Sequence, residues 1–310
     1  MTDIIPISTH PPSASDDINS LVDRFIAEQD IKPRSREGYK KAVHQYLLWV
    51  SKKGFQLSNI TRVEIIQYKE EMIAEGKSLL TVGAYLSSVR RFYEWAEGHK
   101  LYPNVARGIK GPKSLPSFKK EGLTPEQASQ LLDHFGQGNK RDYAMINLML
   151  RTGLRTIEVV RLLVGDIIFR AGKRVLMVHG KGHDEKDAFV LLTDKAYMPI
   201  KDYLATRPGV KDADPVFIAE DGPTHALHTR SISRIAKDGL VAIGLDGKQF
   251  TAHSLRHSAA VNLLRGGATL EAVQGVLRHV SSNTTAIYTA SIKDEMRILN
   301  QTEAILDEMF

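Results

Sequence analysis

Residues 165–192 read GDIIFRAGKRVLMVHGKGHDEKDAFVLL, and here the chain stops behaving like a string of helices. The runs DIIF, RVLMVH and DAFVLL are short, apolar and rich in β-branched and aromatic residues, which marks strands. GKGHDEK joins the last two as a hairpin, with Lys181 between two glycines at its tip. On both sides of this stretch, apolar residues recur at three- and four-residue spacing, the period of amphipathic helices. The expected fold class is mainly α with one small antiparallel β-sheet.

Upstream, residues 1–15 are rich in Pro, Ser and Thr and read as a disordered tail. A helix begins near Asp16, with Ile18, Leu21, Val22, Phe25 and Ile26 on one face. Ser35, Thr61 and Ser78 are placed to cap three more. Four short helices over residues 16–106 make a compact bundle. Its polar faces carry Arg34, Arg36, Lys40, Lys41, Lys52, Lys53, Lys77, Arg90 and Arg91. Each alone reads as an ordinary solvated residue, whereas the set could follow a polyanion backbone. Residues 107–122 contain Gly108, Gly111, Pro112 and Pro116, which forbid a continuous helix, and they are basic through residues such as Lys110 and Lys113. This is a linker, either a clamp closing on a polyanion or a plain soluble tether.

Residues 123–310 form the second domain. It opens with Thr124-Pro125-Glu126-Gln127, a capping box with proline at the first helical position. Another helix runs from about Lys140 to Thr152 and stops at Gly153. After the strands the chain reads as helices, with a brief extended piece at residues 216–219. A last amphipathic helix covers about residues 292–309.

Composition narrows the function. There are 42 Lys+Arg against 36 Asp+Glu, and the isoelectric point is about 9.3, a mild footprint of a polyanionic partner. No cysteine is present, which removes disulfides, zinc fingers and thiol catalysis. No apolar run of roughly eighteen residues exists, and the N-terminus lacks a signal-peptide pattern. The expectation is a cytoplasmic protein without a membrane partner.

Residues 251–290, TAHSLRHSAAVNLLRGGATLEAVQGVLRHVSSNTTAIYTA, hold the densest chemistry. His253 and Arg256 lie three apart, so a helix projects them from one face. His279 follows a Gly-Gly break and a short amphipathic run, and Tyr288 comes after it. Together they suggest a site that grips an anion and attacks it. Each has a duller reading. Arg155 after a glycine turn is by itself a surface or ion-pair residue, and Lys181 a solvated turn. His279 could end a helix, and Tyr288 could fill a core. His253 and His257 have metal-ligand spacing. No ligating Glu lies between them, however, and Arg256 would repel a cation. No metal and no cofactor is expected.

The order of RTGLRTIEV, HGKGHDEK, HSLRHSAA, LRH and Tyr288 resembles the active-site motifs of the tyrosine recombinase (phage integrase) family, especially its two-domain Xer-like and transposon members. The resemblance spans nearly the whole chain. It implies an N-terminal SAM-like core-binding domain followed by an α+β catalytic domain. It makes Arg155 and Arg256 the arginine pair, Lys181 the hairpin lysine, His253 and His279 the two histidines, Tyr288 the nucleophile and Glu158 a supporting carboxylate. It further implies double-stranded DNA with paired recombination sites as partner, four protomers on that DNA, and exchange of the C-terminal helix between them. An accessory protein setting direction is an open expectation, as is association with the nucleoid. Arg34, Arg36, Lys40, Lys41, Lys77, Arg90, Arg91 and Lys113 are the candidate DNA contacts. A type IB topoisomerase would use nearly the same residues without exchanging strands between sites. A non-catalytic DNA-binding regulator would explain the basic helices but not the ordered set. A metal-dependent hydrolase would lose activity in EDTA.

Overall fold

The computed structural model describes residues 16–112, 121–179, 185–219, 222, 225–278, 307 and 309. The chain divides into two compact units, Met1–Leu115 and Pro116–Phe310, each with its own hydrophobic core.

The first unit consists of α1 (Asp16–Ala27), α2 (Pro33–Lys52), α3 (Arg62–Ala74) and α4 (Leu79–Gly98). Thr61 and Ser78 open the last two, as their residue types suggest. Thr61 Oγ1 accepts from the Val63 amide at 3.2 Å, and Glu64 accepts from the Thr61 amide at 2.7 Å. Ser78 Oγ accepts from the Thr81 amide at 3.1 Å. The second helix starts before the expected Ser35. Lys32 is its cap and Pro33 its first residue, because the proline ring presets the helical φ and lacks an amide to satisfy. α2 and α4 have 20 residues each, longer than the short helices read from the sequence. Their apolar stripes meet in a core containing Phe25, Tyr46, Leu86 and Phe92. The buried hydroxyls of Tyr46 and Tyr93 satisfy each other at 2.7 Å, which offsets the cost of burying them.

The second unit holds α5 (Pro125–Gly136), α6 (Lys140–Thr152), α7 (Thr156–Val160), α8 (Asp194–Leu204), α9 (Thr229–Ala242), α10 (Ala252–Arg265) and α11 (Leu270–Leu277). Its sheet is antiparallel in the order β1 (Ile167–Arg170), β2 (Lys173–Val178), β3 (Ala188–Leu191). The β1–β2 turn is Ala171–Gly172, with φ of +49° and +71°, the pair of positive φ values that suits a twisted two-residue hairpin. Register places Leu176 between Ile167 and Val190. Leu176 and Val190 are buried, which fixes which face of the sheet meets the core.

α6 is the axis of this unit. Every residue from Ala144 to Met149 is buried, so the helix is apolar nearly all round. The polar exception, Asn147, donates to the Lys195 carbonyl and accepts from Arg151, both at 2.8 Å. A helix held on all sides has a fixed end, and that end is Gly153. Gly153 has φ +62°, and a Cβ there would lie 2.5 Å from the Leu277 side chain. Backbone and packing both demand glycine. The chain is thus mostly helical with a three-stranded antiparallel sheet, as its periodicities indicate. The tail 1–15, residues 113–120 of the expected linker and the hairpin tip 180–184 lie outside the described residues. So does the stretch 292–309, apart from Asp307 and Met309. The start of the expected linker instead belongs to the first unit, where Ile109 is buried in the core and the Arg107 carbonyl accepts from Arg62 at 2.7 Å.

Candidate active site

The left-handed turn at Gly153 ends α6 and delivers Arg155 as the cap of the short helix α7. Glu158 lies one turn on and folds back. Its Oε2 accepts from the Arg155 backbone amide at 2.7 Å, and its Oε1 from Arg155 Nη1 at 2.7 Å. One carboxylate therefore both caps the helix and aims the guanidinium. Arg155 keeps 26% of its side chain exposed, while Glu158 keeps only 6%.

α10 supplies the second arginine. Arg256, 1% exposed, donates from Nη1 to the Gly153 carbonyl and from Nη2 to the Leu277 carbonyl, both at 2.5 Å. It joins the turn before Arg155 to the end of α11, and its Nη1 lies 3.9 Å from Glu158 Oε2. His253 sits one turn earlier on the same helix and is exposed. The two arginines, about a hundred residues apart in the chain, thus share one buried carboxylate. α10 is anchored at its middle by Ser258, whose Oγ accepts from the Leu123 amide at 2.7 Å and donates to the Ser254 carbonyl at 2.8 Å. His257, buried beside it, has its pKa pushed down to about 4 by burial and then by the charge of His253.

A third arginine joins them. Arg278 ends α11 in the left-handed region, φ +55° and ψ +45°, a conformation that costs a non-glycine residue about 1–2 kcal/mol. Its side chain is 8% exposed, and Nη2 donates to Glu158 Oε2 at 2.9 Å. Nη1 donates to the Val276 carbonyl at 2.6 Å. Burial alone would push the Glu158 carboxyl upward. Arg278, the Arg155 amide, the Arg155 guanidinium and Arg256 outweigh burial and hold it below the usual range. Sequence reasoning missed Arg278. An arginine at the C-terminal end of a helix reads as an ordinary partner of the helix dipole. The only available signal was its place directly before His279.

Lys181, His279 and Tyr288 lie outside the described residues. Among the described residues, no cluster of three or more His, Cys, Asp or Glu could hold a metal ion, and no helix is long and apolar enough to cross a membrane. The candidate DNA contacts of the first unit differ in what occupies them. Arg36 and Lys41 are exposed. Lys40 pairs with Asp23 at 2.6 Å and Lys77 with Glu75. Arg90 donates to the Ile109 carbonyl at 3.3 Å, and Arg91 to Gln29 Oε1 at 3.2 Å. Arg34 belongs to α2, and Lys113 lies outside the described residues.

Residues 121–295 match the Phage integrase family, and residues 18–100 match the phage integrase N-terminal SAM-like domain. The chain is 32% identical over 263 residues to a tyrosine recombinase of Thermosipho africanus (strain TCF52B), covering 81% of this chain and 87% of that protein. It is 30% identical over 302 residues to the tyrosine recombinase XerD of Xanthomonas axonopodis pv. citri (strain 306), covering 93% and 97%. Among solved structures it is similar to the XerH site-specific recombinase in a post-cleavage complex with palindromic difH substrate. The TM-score there is 0.74 at 22% identity, covering 91% of this chain and 84% of that one. At that identity the likeness establishes the fold.

Proposed function

The chain belongs to the phage integrase family of tyrosine recombinases, and from this we propose that it cleaves and rejoins double-stranded DNA at paired sites through a 3′-phosphotyrosyl intermediate. The observation that carries the reading is the convergence of Arg155 and Arg256 on Glu158.

A DNA phosphodiester resists attack because its oxygens repel a nucleophile and its alkoxide leaves poorly. Guanidinium forks answer the first difficulty by binding the non-bridging oxygens and stabilising the charge that grows there. Arginine suits this role because it is planar and permanently charged. Tyr288 is the nucleophile, and its phenol, with a reference pKa of about 10, must shed a proton as it attacks. His253, exposed on α10 one turn from Arg256, is the acceptor or relay for that proton. Lys181 protonates the departing 5′ oxygen, and His279 donates to a phosphate oxygen. Glu158 holds Arg155 in position. Tyr288 ends joined to the 3′ phosphate and a 5′-hydroxyl is freed. That hydroxyl of one strand then attacks the partner's phosphotyrosine. The covalent bond conserves the phosphodiester energy, so no nucleotide cofactor is needed, and the cations do electrostatically what a metal ion would do.

Exchange between two sites calls for four protomers, with the helix at about residues 292–309 passing to a neighbour. The basic residues of the N-terminal bundle, Arg36 and Lys41 among them, would track the phosphate backbone and set register rather than sequence. The enzyme would act in the cytoplasm, at the nucleoid, and an accessory protein could bias its direction. Recombinase relatives over nearly the full length favour strand exchange over simple relaxation or regulation without cleavage.

The decisive test incubates the protein with nicked duplexes and looks for a denaturant-resistant protein–DNA adduct. The wild-type chain is expected to form it and Tyr288→Phe to form none. An adduct from Tyr288→Phe would remove Tyr288 as the nucleophile.

A further inference from the structure

Arg278 stands in a backbone conformation that glycine would adopt without strain, yet it carries a long side chain that is 8% exposed. Such a side chain is held there by what it binds. Nη2 reaches Glu158 Oε2 at 2.9 Å and Nη1 the Val276 carbonyl at 2.6 Å, while Nε is buried without a partner among the described residues. The preceding carbonyl, of Leu277, accepts from Arg256 at 2.5 Å. The turn at residues 277–278 is therefore tied twice to the arginine site. One tie runs through its backbone to Arg256, the other through the Arg278 side chain to the carboxylate that aims Arg155. The next residue in the chain is His279, and Tyr288 follows nine positions later.

We propose that Arg278 is a positioning residue for strand cleavage, a latch that fixes the turn at residues 277–278 against Glu158 and, through Glu158, sets the direction of the Arg155 guanidinium. The inference rests on the recombinase reading above. It also gives the site a third guanidinium against a single carboxylate. Glu158 then stays ionised and is shared, and Arg155 is oriented without being fully neutralised by its partner. A planar fork does this better than an ammonium, since it can meet the carboxylate and the Val276 carbonyl together.

The test uses the full chain and a nicked duplex that the wild-type protein itself selects, by adduct formation, from a random-sequence library. Arg278→Gly keeps the left-handed turn and removes only the side chain, so the fold should persist. Its single-turnover rate of adduct formation is expected to fall by about 10- to 100-fold, with affinity for the duplex within about twofold of wild type. Arg278→Lys should recover part of the rate. The acid limb of the pH–rate profile should move to higher pH in Arg278→Gly, because Glu158 loses a cation. In a Glu158→Gln background, Arg278→Gly should cost far less. A wild-type rate for Arg278→Gly overturns the proposal, as does an equal loss with and without Glu158. If the wild-type chain forms no adduct with any duplex, the recombinase reading falls and the latch with it. If it does and only Arg278→Gly behaves as wild type, the latch alone falls.

Discussion

At the scale of single residues, the second unit places titratable groups where their ionisation is coupled to folding. His257 is buried and its pKa is pushed down to about 4, first by burial and then by His253. The unfolded chain takes up this proton near pH 6.5, while the folded chain does not until about pH 4. Stability is therefore complete above about pH 6.5 and declines as the pH falls toward 4. The expected loss is about 3 kcal/mol. Urea unfolding at several pH values across that window measures it, and His257→Phe should lose most of the slope. Lys181 belongs to the same scale. If it protonates the leaving oxygen, Lys181→Ala should slow cleavage strongly with an ordinary 5′ oxygen and little with a 5′ sulfur, since a thiolate leaves without help. Equal slowing with both would exclude the general-acid role. Arg155, Glu158 and Arg256 were legible in the sequence as members of one ordered set, and the structure brings the three together. Arg278 was not, since its meaning depends on Glu158, 120 positions away in the chain.

At the scale of elements, two helix ends make the site. α6 ends at Gly153 and α11 at Arg278, and Arg256 from α10 bridges the Gly153 and Leu277 carbonyls at those ends. Gly153 is the tightest point. Gly153→Ala would put a methyl in the left-handed region and into contact with the Leu277 side chain, 2.5 Å away before relaxation. The expected cost is about 2–4 kcal/mol, read as a lower urea midpoint at unchanged slope. Adduct formation should slow as well, because the displaced turn carries Arg155. Helix caps at Thr61, Ser78 and Thr124 followed from residue type alone, since each satisfies amides within its own first turn. The start of α2 did not, because Pro33 competes with Ser35 for that role. Both answers obey local rules, and the rigid φ of proline won.

At the scale of the whole molecule, the chain is two units, with an N-terminal SAM-like domain and a catalytic phage integrase domain. If the C-terminal stretch docks on a neighbour, deleting residues 292–310 should weaken assembly on paired sites far more than binding to a single site. Gel-shift titrations with one-site and two-site duplexes separate the two effects. Unchanged assembly would exclude that docking role.

The sequence by itself determined the helical period, the one strand-rich stretch, most of the caps and the family motifs. All of these are local patterns, set by side chains a few positions apart and by backbone preferences that neighbours hardly alter. The tertiary structure decided which groups share the buried carboxylate. It brought Arg155, Arg256 and Arg278 to Glu158, and it requires glycine at position 153. Those facts come from tertiary packing that brings α7, α10 and the end of α11 together, and the energy of a buried ion pair depends on distances that sequence spacing does not contain.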